Sequence, residues 1–485
     1  MQDSADDVDP PLPFGIDADT GRPLLGLTAA EIDWLVASGR PAPGEEAVLG
    51  ARAELSDTSF AVIGDVDGND LAQTGWGVIV AADVSDEVRA ALEPLFARRR
   101  SQVGDALFKI FDGALAPRAD ELASKWLGRQ GVSMNVVDPY LGVPFFLLIV
   151  GSPEAIPFEF QYGLDIYFAV GRLHFDTPAE YRRYAESVVA YEDAAEPPTT
   201  RQAALFATTH DFDRATQLFT AKVARPLAAG EGDQLPLGKR QKFRVQPYIG
   251  EDATKQTLAN ILSGSMPGGA PSLLFSGTHG MALRADDSRL QEAQGALVCQ
   301  DWGGYGKIDD THWFAAHDLP AKARIHGLVH VLFACYGAGC PQFDNFRRAD
   351  GTPKQIAPHA IVARLPQAML THPDGGALAV IGHVERAWGY SFVSEKGHAQ
   401  TQGFRDIMGR LMRGERVGLA MDQFNIRWAA LSTELSDTLD SIAHGDSVPA
   451  NELANRWVAR DDARNYIVFG DPAVRLRATE MPELT

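Results

Sequence analysis

Two stretches decide how this chain is read: Ser272-Leu273-Leu274-Phe275-Ser276-Gly277-Thr278-His279-Gly280 and Leu328-Val329-His330-Val331-Leu332-Phe333-Ala334-Cys335-Tyr336-Gly337-Ala338-Gly339. Each is an apolar run that stops at a reactive side chain followed by glycine. Runs of this kind predict buried parallel strands. In an open α/β sheet, ligands bind beyond the carboxyl ends of the strands. Neighbouring strands ending at His279 and Cys335 would therefore set an imidazole and a thiol on one lip of a sheet.

A thiol is mostly protonated near neutral pH, and a nearby imidazole makes thiolate available for attack. Gly280 is expected to turn the chain tightly behind His279, freeing its N–H for a developing oxyanion. The N–H of Cys335 is the natural second donor. His279 precedes Cys335 by 56 residues (335 − 279), an order and spacing found in one class of cysteine peptidases. Alone, a strand-end Cys is usually a small buried hydrophobe, and a lone His is usually a hydrogen-bonded core or surface residue. Together, in this order, they imply a His/Cys dyad.

The chain has 485 residues, room for two or three domains; 45% hydrophobic and 22% charged residues make it a soluble globular protein. Acidic residues outnumber basic ones, 64 to 44, for a formal charge of −20. That weighs against nucleic acid or an anionic membrane as partner, and allows a cationic substrate segment. Cys299, Cys335 and Cys340 form no disulfide framework, which fits a reducing compartment. The acidic start, Met1 to Asp7, lacks the apolar stretch of a secretory signal, and Val143 to Val150 is too short to span a bilayer. A cytoplasmic location is expected.

No cofactor or metal is expected. Gly264-Ser265-Met266-Pro267-Gly268-Gly269 lacks the ending of a phosphate loop. Asp65-Val66-Asp67-Gly68-Asn69-Asp70 starts like a calcium loop, but Trp76 stands where the bidentate Glu belongs. Cys335, Cys340 and His312 lack paired zinc spacing.

Taken in order, residues 1–26 predict an extended lead, and Thr28 to Glu31 a capping box opening a short helix through Ile32, Trp34 and Leu35. Pro and Gly return at 41–45. A strand at Gly77 to Ala82 precedes a helix that begins near Ser85 and ends in Arg98-Arg99-Arg100, basic residues suiting a last turn. A helical pattern covers 117–129. Strands are expected at Val143 to Val150 and Ile166 to Val170, then a helix carrying Tyr181, Tyr184, Val188 and Tyr191. Pro197-Pro198 marks a boundary between an α/β subdomain at 76–198 and a catalytic domain at 199–485; residues 1–75 have no assigned role. Further strands are expected at Ala203 to Thr208, Phe243 to Ile249 and Gly376 to His383, with helices at 252–262, near 314, at 360–371 and across 400–442. Residues 228–242 and 340–359 predict loops. The alternation predicts an α/β fold with a mainly parallel sheet.

These residues resemble the caspase–gingipain clan of cysteine peptidases. His279-Gly280 and Ala334-Cys335-Tyr336-Gly337 match the clan's dyad motifs. Ile149-Val150-Gly151-Ser152-Pro153 through Val170-Gly171-Arg172 is similar to the first subdomain of gingipain-type peptidases. Phe469-Gly470-Asp471-Pro472-Ala473 is similar to the closing motif of that branch. Ser152 departs from the pattern, which usually has Asp there. The resemblance covers about 140–485 and sits nearest the gingipain-like and CHAT branches. It implies a caspase-like αβα sandwich preceded by a smaller gingipain-like subdomain. It also implies His279 as general base, Cys335 as nucleophile and an oxyanion hole from the N–H groups of Gly280 and Cys335. Intracellular bacterial relatives often cut one dedicated partner, sometimes in defence systems.

For the residue before the scissile bond, Phe333, two before the Cys, lies where the clan lines the pocket. The segment 384–390 is expected to pair with substrate backbone as an added strand. Glu385 or Asp301 would supply a negative charge for a basic side chain, or Trp388 would floor an apolar subsite. The balance favours a basic or large apolar residue over an acidic one. Two alternatives stand beside the endopeptidase: a non-catalytic interaction scaffold, and a zymogen needing an activating protein partner or a cut in the 228–242 or 340–359 loop.

Overall fold

The computed structural model describes residues 12–38, 49–52, 62–304, 306–348, 350–394 and 397–482. The acidic start at 1–7 and the Pro/Gly stretch at 41–45 lie outside the described residues.

Ten strands form the main sheet: β1 (Trp76–Val80), β2 (Phe108–Phe111), β3 (Phe146–Val150), β4 (Ala169–Leu173), β5 (Thr200–Ala207), β6 (Arg244–Ile249), β7 (Pro271–Gly277), β8 (Val329–Phe333), β9 (Ala379–His383) and β10 (Tyr466–Gly470). Their order is β2-β1-β3-β4-β10-β9-β8-β7-β5-β6. β1 to β4 and β10 run parallel to one another, as do β5 to β9, and the two sets meet antiparallel at β10 and β9. Every residue of β1, β3, β7, β8 and β9 is buried, so these strands read as unbroken apolar runs. The antiparallel seam turns the carboxyl ends of the two sets to opposite edges. The loops after β5, β7, β8 and β9 therefore gather on one lip.

The seam is built from the far end of the chain. A Cβ on Gly171 in β4 would lie 2.1 Å from the Gly470 carbonyl, so a side chain there would push the strands apart. Asp471 accepts Trp76 Nε1–H at 3.0 Å and Arg99 Nε–H at 2.7 Å. Arg99 also pairs with Glu192 at 2.8 Å. This corrects the reading of Arg98-Arg99-Arg100 as a final turn. The helix runs Asp86–Leu107, capped by Ser85, and Arg99 is buried in its middle. A buried guanidinium is costly unless paired. Burial alone would raise the Glu192 carboxyl, but Arg99 and Arg98 outweigh it and hold it down to about 2.

Other boundaries differ from expectation for local reasons. Phe158–Asp165 is helical and Ile166 keeps helical backbone, so β4 starts at Ala169 and not at Ile166. Near 314 the chain is extended, Trp313–Phe314 pairing with Leu297–Val298, with a single 3₁₀ turn at Ala316–Asp318. The 400–442 region is three helices, Gln402–Met412, Val417–Ala420 and Asp422–Ala443, with Gly414 in left-handed backbone after the first. The Thr28 and Glu31 capping contacts form, opening the helix Ala29–Ser38.

A second sheet has the order Trp313–Phe314, Leu297–Val298, Gly280–Ala282, Gly15–Asp17, Arg22–Pro23. Part of the extended lead thus becomes a strand. Gly15–Asp17 pairs parallel with Gly280–Ala282, directly behind His279.

Candidate active site

Cys335 follows β8 and is fully buried. Tyr336 takes a left-handed φ of 59°, uncommon away from glycine. It is fixed by its N–H, which donates to the Glu385 carbonyl at 2.6 Å, and Glu385 is itself left-handed. The chain ends beyond β8 and β9 are thus locked together. The Cys335 Sγ accepts Ala387 N–H at 3.3 Å and donates to the Ala387 carbonyl at 3.6 Å. Burial pushes this thiol well above its ordinary value, offset only in part by the Ala387 N–H.

His279 lies just beyond β7, and its Nε2 is 2.8 Å from Asp213 Oδ2. Its buried Nδ1 has no hydrogen-bond partner among the described residues. Nε2–H donating to a carboxylate leaves Nδ1 as the basic nitrogen. Asp213 caps the helix Arg214–Phe219 and accepts the Thr216 N–H at 3.0 Å and hydroxyl at 2.7 Å. Burial alone would raise its carboxyl, yet His279 and Thr216 hold it well below the usual carboxylate range. His210, desolvated and facing His279, is pushed down to about 4. Sequence reasoning missed Asp213, which lies 66 residues before His279. The available signal was a helix-capping Asp shortly after a strand whose carboxyl end shares the lip.

Gly280 is glycine for a reason other than a tight turn. Its φ is not positive, whereas a Cβ would lie 1.9 Å from the Cys335 carbonyl oxygen. Close approach of the two strand ends excludes any side chain.

The chain's own residues 12–17 run along this lip. The Phe14 carbonyl accepts the N–H groups of both Gly280 and Cys335, each at 2.9 Å. Phe14 N–H donates to the Ala387 carbonyl at 2.8 Å, and Gly389 N–H donates to the Leu12 carbonyl at 3.2 Å. Pro13 and Trp388 form an antiparallel bridge between these bonds. A Cβ on Gly15 would lie 3.0 Å from Cys335 Sγ, so the Phe14–Gly15 peptide sits against the thiol. The Phe14 ring meets Phe333 at 4.7 Å, His279 at 5.5 Å, Phe392 at 5.7 Å and Phe219 at 5.8 Å between centroids.

The other residues marked from sequence fall in different places. Phe333 lines the ring pocket, stacked on Phe219. Trp388 contributes backbone to the bridge while its side chain packs with Leu35, Phe346 and Tyr390. Glu385 is buried and bound to Arg386, which also pairs with Asp344. Asp301 is exposed and accepts the Lys255 N–H at 2.6 Å. His330 is hydrogen-bonded to Ser276 at 2.7 Å and His383 to the Asp462 carbonyl at 2.9 Å, both inside the sheet. Asp70 caps the turn Leu71–Thr74. Ser152, where the gingipain pattern has Asp, accepts the Ala155 N–H at 3.1 Å.

Residues 134–477 match the sequence profile described as Peptidase family C25. None of the curated proteins compared matches the chain. Among solved structures, one described as "Structure of Protease" is similar with a TM-score of 0.48 and 13% identity, over 83% of this chain and 78% of that one. The complex of Porphyromonas gingivalis RgpB pro- and mature domains gives 0.46 and 12%, over 83% and 80%. Because the profile spans well over half of the chain, the protein belongs to Peptidase family C25, the gingipain family of cysteine peptidases.

Proposed function

We propose that the protein is an endopeptidase in which Cys335 is the nucleophile, His279 the general base and Asp213 the residue that positions the imidazole. One observation carries the reading: two N–H groups, from Gly280 and Cys335, converge on a single peptide carbonyl whose C–N bond lies beside the Cys335 sulfur. Two donors at 2.9 Å from one carbonyl oxygen are placed to stabilise the oxyanion of a tetrahedral intermediate.

The chemistry follows. The Cys335 thiol passes its proton to His279 Nδ1, and the thiolate adds to the carbonyl carbon. The C–N bond breaks, the imidazolium protonates the departing amine, and an acyl-enzyme forms. His279 then takes a proton from water, which attacks the thioester and releases the acid. Asp213 holds Nε2 and stabilises the imidazolium.

The lip bearing these groups is built from residues 199–485, with 76–198 as the supporting subdomain. All three cysteines are free, in keeping with work in a reducing compartment. A cleft this well covered suits selective cutting of a dedicated protein partner better than general digestion. No helix among the described residues is long and apolar enough to cross a membrane.

A mixed peptide library, read by mass spectrometry, tests the dyad. Cys335→Ala and His279→Ala are each expected to lower cleavage by about 10³-fold or more. A Cys335→Ala protein that still cuts overturns the assignment and leaves the scaffold reading.

A further inference from the structure

Resting on the peptidase reading, we propose that the subsite before the scissile bond selects an aromatic side chain, and that Leu12–Asp17 occupies the cleft as a built-in competitor of that class. The backbone register is that of a bound peptide. Three bonds fix it: Phe14 N–H to Ala387, Gly389 N–H to Leu12, and the doubly held Phe14 carbonyl. An extended peptide added to a strand end in this way gains affinity from its main chain and specificity from the pocket its side chain enters.

That pocket is aromatic. Phe333 and Phe219 stack 5.3 Å apart with an interplanar angle of 7°, and Phe392 meets both edge-on. Phe14 is 1% exposed among them. Gly277 makes room for one wall, since a Cβ there would lie 2.0 Å from the Phe219 ring. Offset and edge-to-face contacts of this kind favour another aromatic ring. A basic side chain would be desolvated without a free counter-charge, because Glu385 is bound to Arg386 and Asp301 is exposed on the helix start at Lys255.

The lead is anchored on the far side of the thiol as well. Leu24 N–H donates to the Gly15 carbonyl at 2.8 Å and Ala18 N–H to the Ala282 carbonyl at 2.9 Å. Gly15 has no room for a side chain: a Cβ would lie 2.6 Å from Leu24 Cδ1 and 3.0 Å from Cys335 Sγ. Because the segment is tethered, it competes at high effective concentration with any free peptide.

The test uses full-length wild type, Phe14→Asp and Gly15→Val, each with and without Cys335→Ala. The probes are three fluorogenic peptides ending in Leu-Pro-Phe, Leu-Pro-Arg or Leu-Pro-Asp before the reporter. Gly15→Val leaves the Phe14 side chain in place, so it serves as an independent release variant should Phe14→Asp misfold. Both are expected to raise kcat/KM on the Phe peptide at least about tenfold over wild type, and to prefer it over the Arg and Asp peptides by about 10²-fold. Cys335-dependent cleavage that prefers Arg or Asp overturns the aromatic subsite and leaves the peptidase standing. Folded variants no faster than wild type overturn the competitor. No Cys335-dependent cleavage of any peptide by either folded variant defeats the peptidase reading itself.

Discussion

Arg172, near the end of β4, and His279, just beyond β7, are both fully buried at the ends of apolar strands. Their polar atoms are used differently. The Arg172 guanidinium donates to Gln161 at 3.0 Å, to the Gly151 carbonyl at 3.1 Å and to the Ile156 carbonyl at 2.7 Å. It tethers the Gly151–Pro157 turn to the sheet. His279 commits Nε2 to Asp213 and leaves Nδ1 without a partner among the described residues, with the Phe14 ring 5.5 Å from its own. A buried group wholly engaged by the protein fixes shape. A buried group with one atom left over can exchange a proton. The difference between these two groups can be tested.

The largest effect is expected in the supporting half. Arg99→Ala leaves Asp471 buried without its cation and Glu192 with Arg98 alone, which should cost about 3 kcal/mol in urea unfolding. The folded fraction should cleave peptides within about twofold of wild type, since surface and core changes away from a site act mainly on stability. A folded Arg99→Ala protein with a collapsed kcat would break that distinction.

Asp213→Asn should do the reverse. It keeps a hydrogen-bonding group but removes the charge that stabilises the imidazolium. A fall in kcat of roughly 10- to 100-fold with KM little changed is expected, partly restored by Asp213→Glu, beside a modest fall in the urea midpoint from the lost charge on the helix cap. A purely structural Asp213 would shift the midpoint and leave the kcat of the folded protein alone.

The smallest effect is on acid stability. Burial pushes His330 down to about 3 and His210 to about 4, both below the ordinary imidazole value. The unfolded chain therefore binds more protons between about pH 6.5 and these values, and stability falls as pH drops through that window. From pH 7 to 6 the two together should cost about 1 kcal/mol. His330→Phe should flatten the slope of unfolding midpoint against pH; an unchanged slope would show that His330 is not kept neutral.

Much of the reactive lip was legible because it is local. An apolar run, a reactive side chain and a glycine describe a strand and its end without reference to anything else. Gly280 was marked for a tight turn that it does not make: a positive φ can be guessed from one residue, whereas a clash with the Cys335 carbonyl requires knowing that β7 and β8 are neighbours. The arginine run shows the same limit. A basic cluster in a helical pattern fits a solvated last turn, and only the placement of Asp471 beside Trp76 and Arg99 shows that the middle residue faces inward.

The sequence by itself determined the strands that carry His279 and Cys335 and the order His before Cys, since each rests on a few consecutive residues. The tertiary structure alone decided that Asp213 would be the partner of His279, that Glu385 would be consumed by Arg386, and that Phe14 would lie edge-on against the stacked Phe219 and Phe333 with its carbonyl on the Cys335 N–H. Asp213 and His279, like Phe14 and its aromatic neighbours, are far apart along the chain. Their meeting depends on the order of strands across the sheet, which side-chain periodicity does not encode.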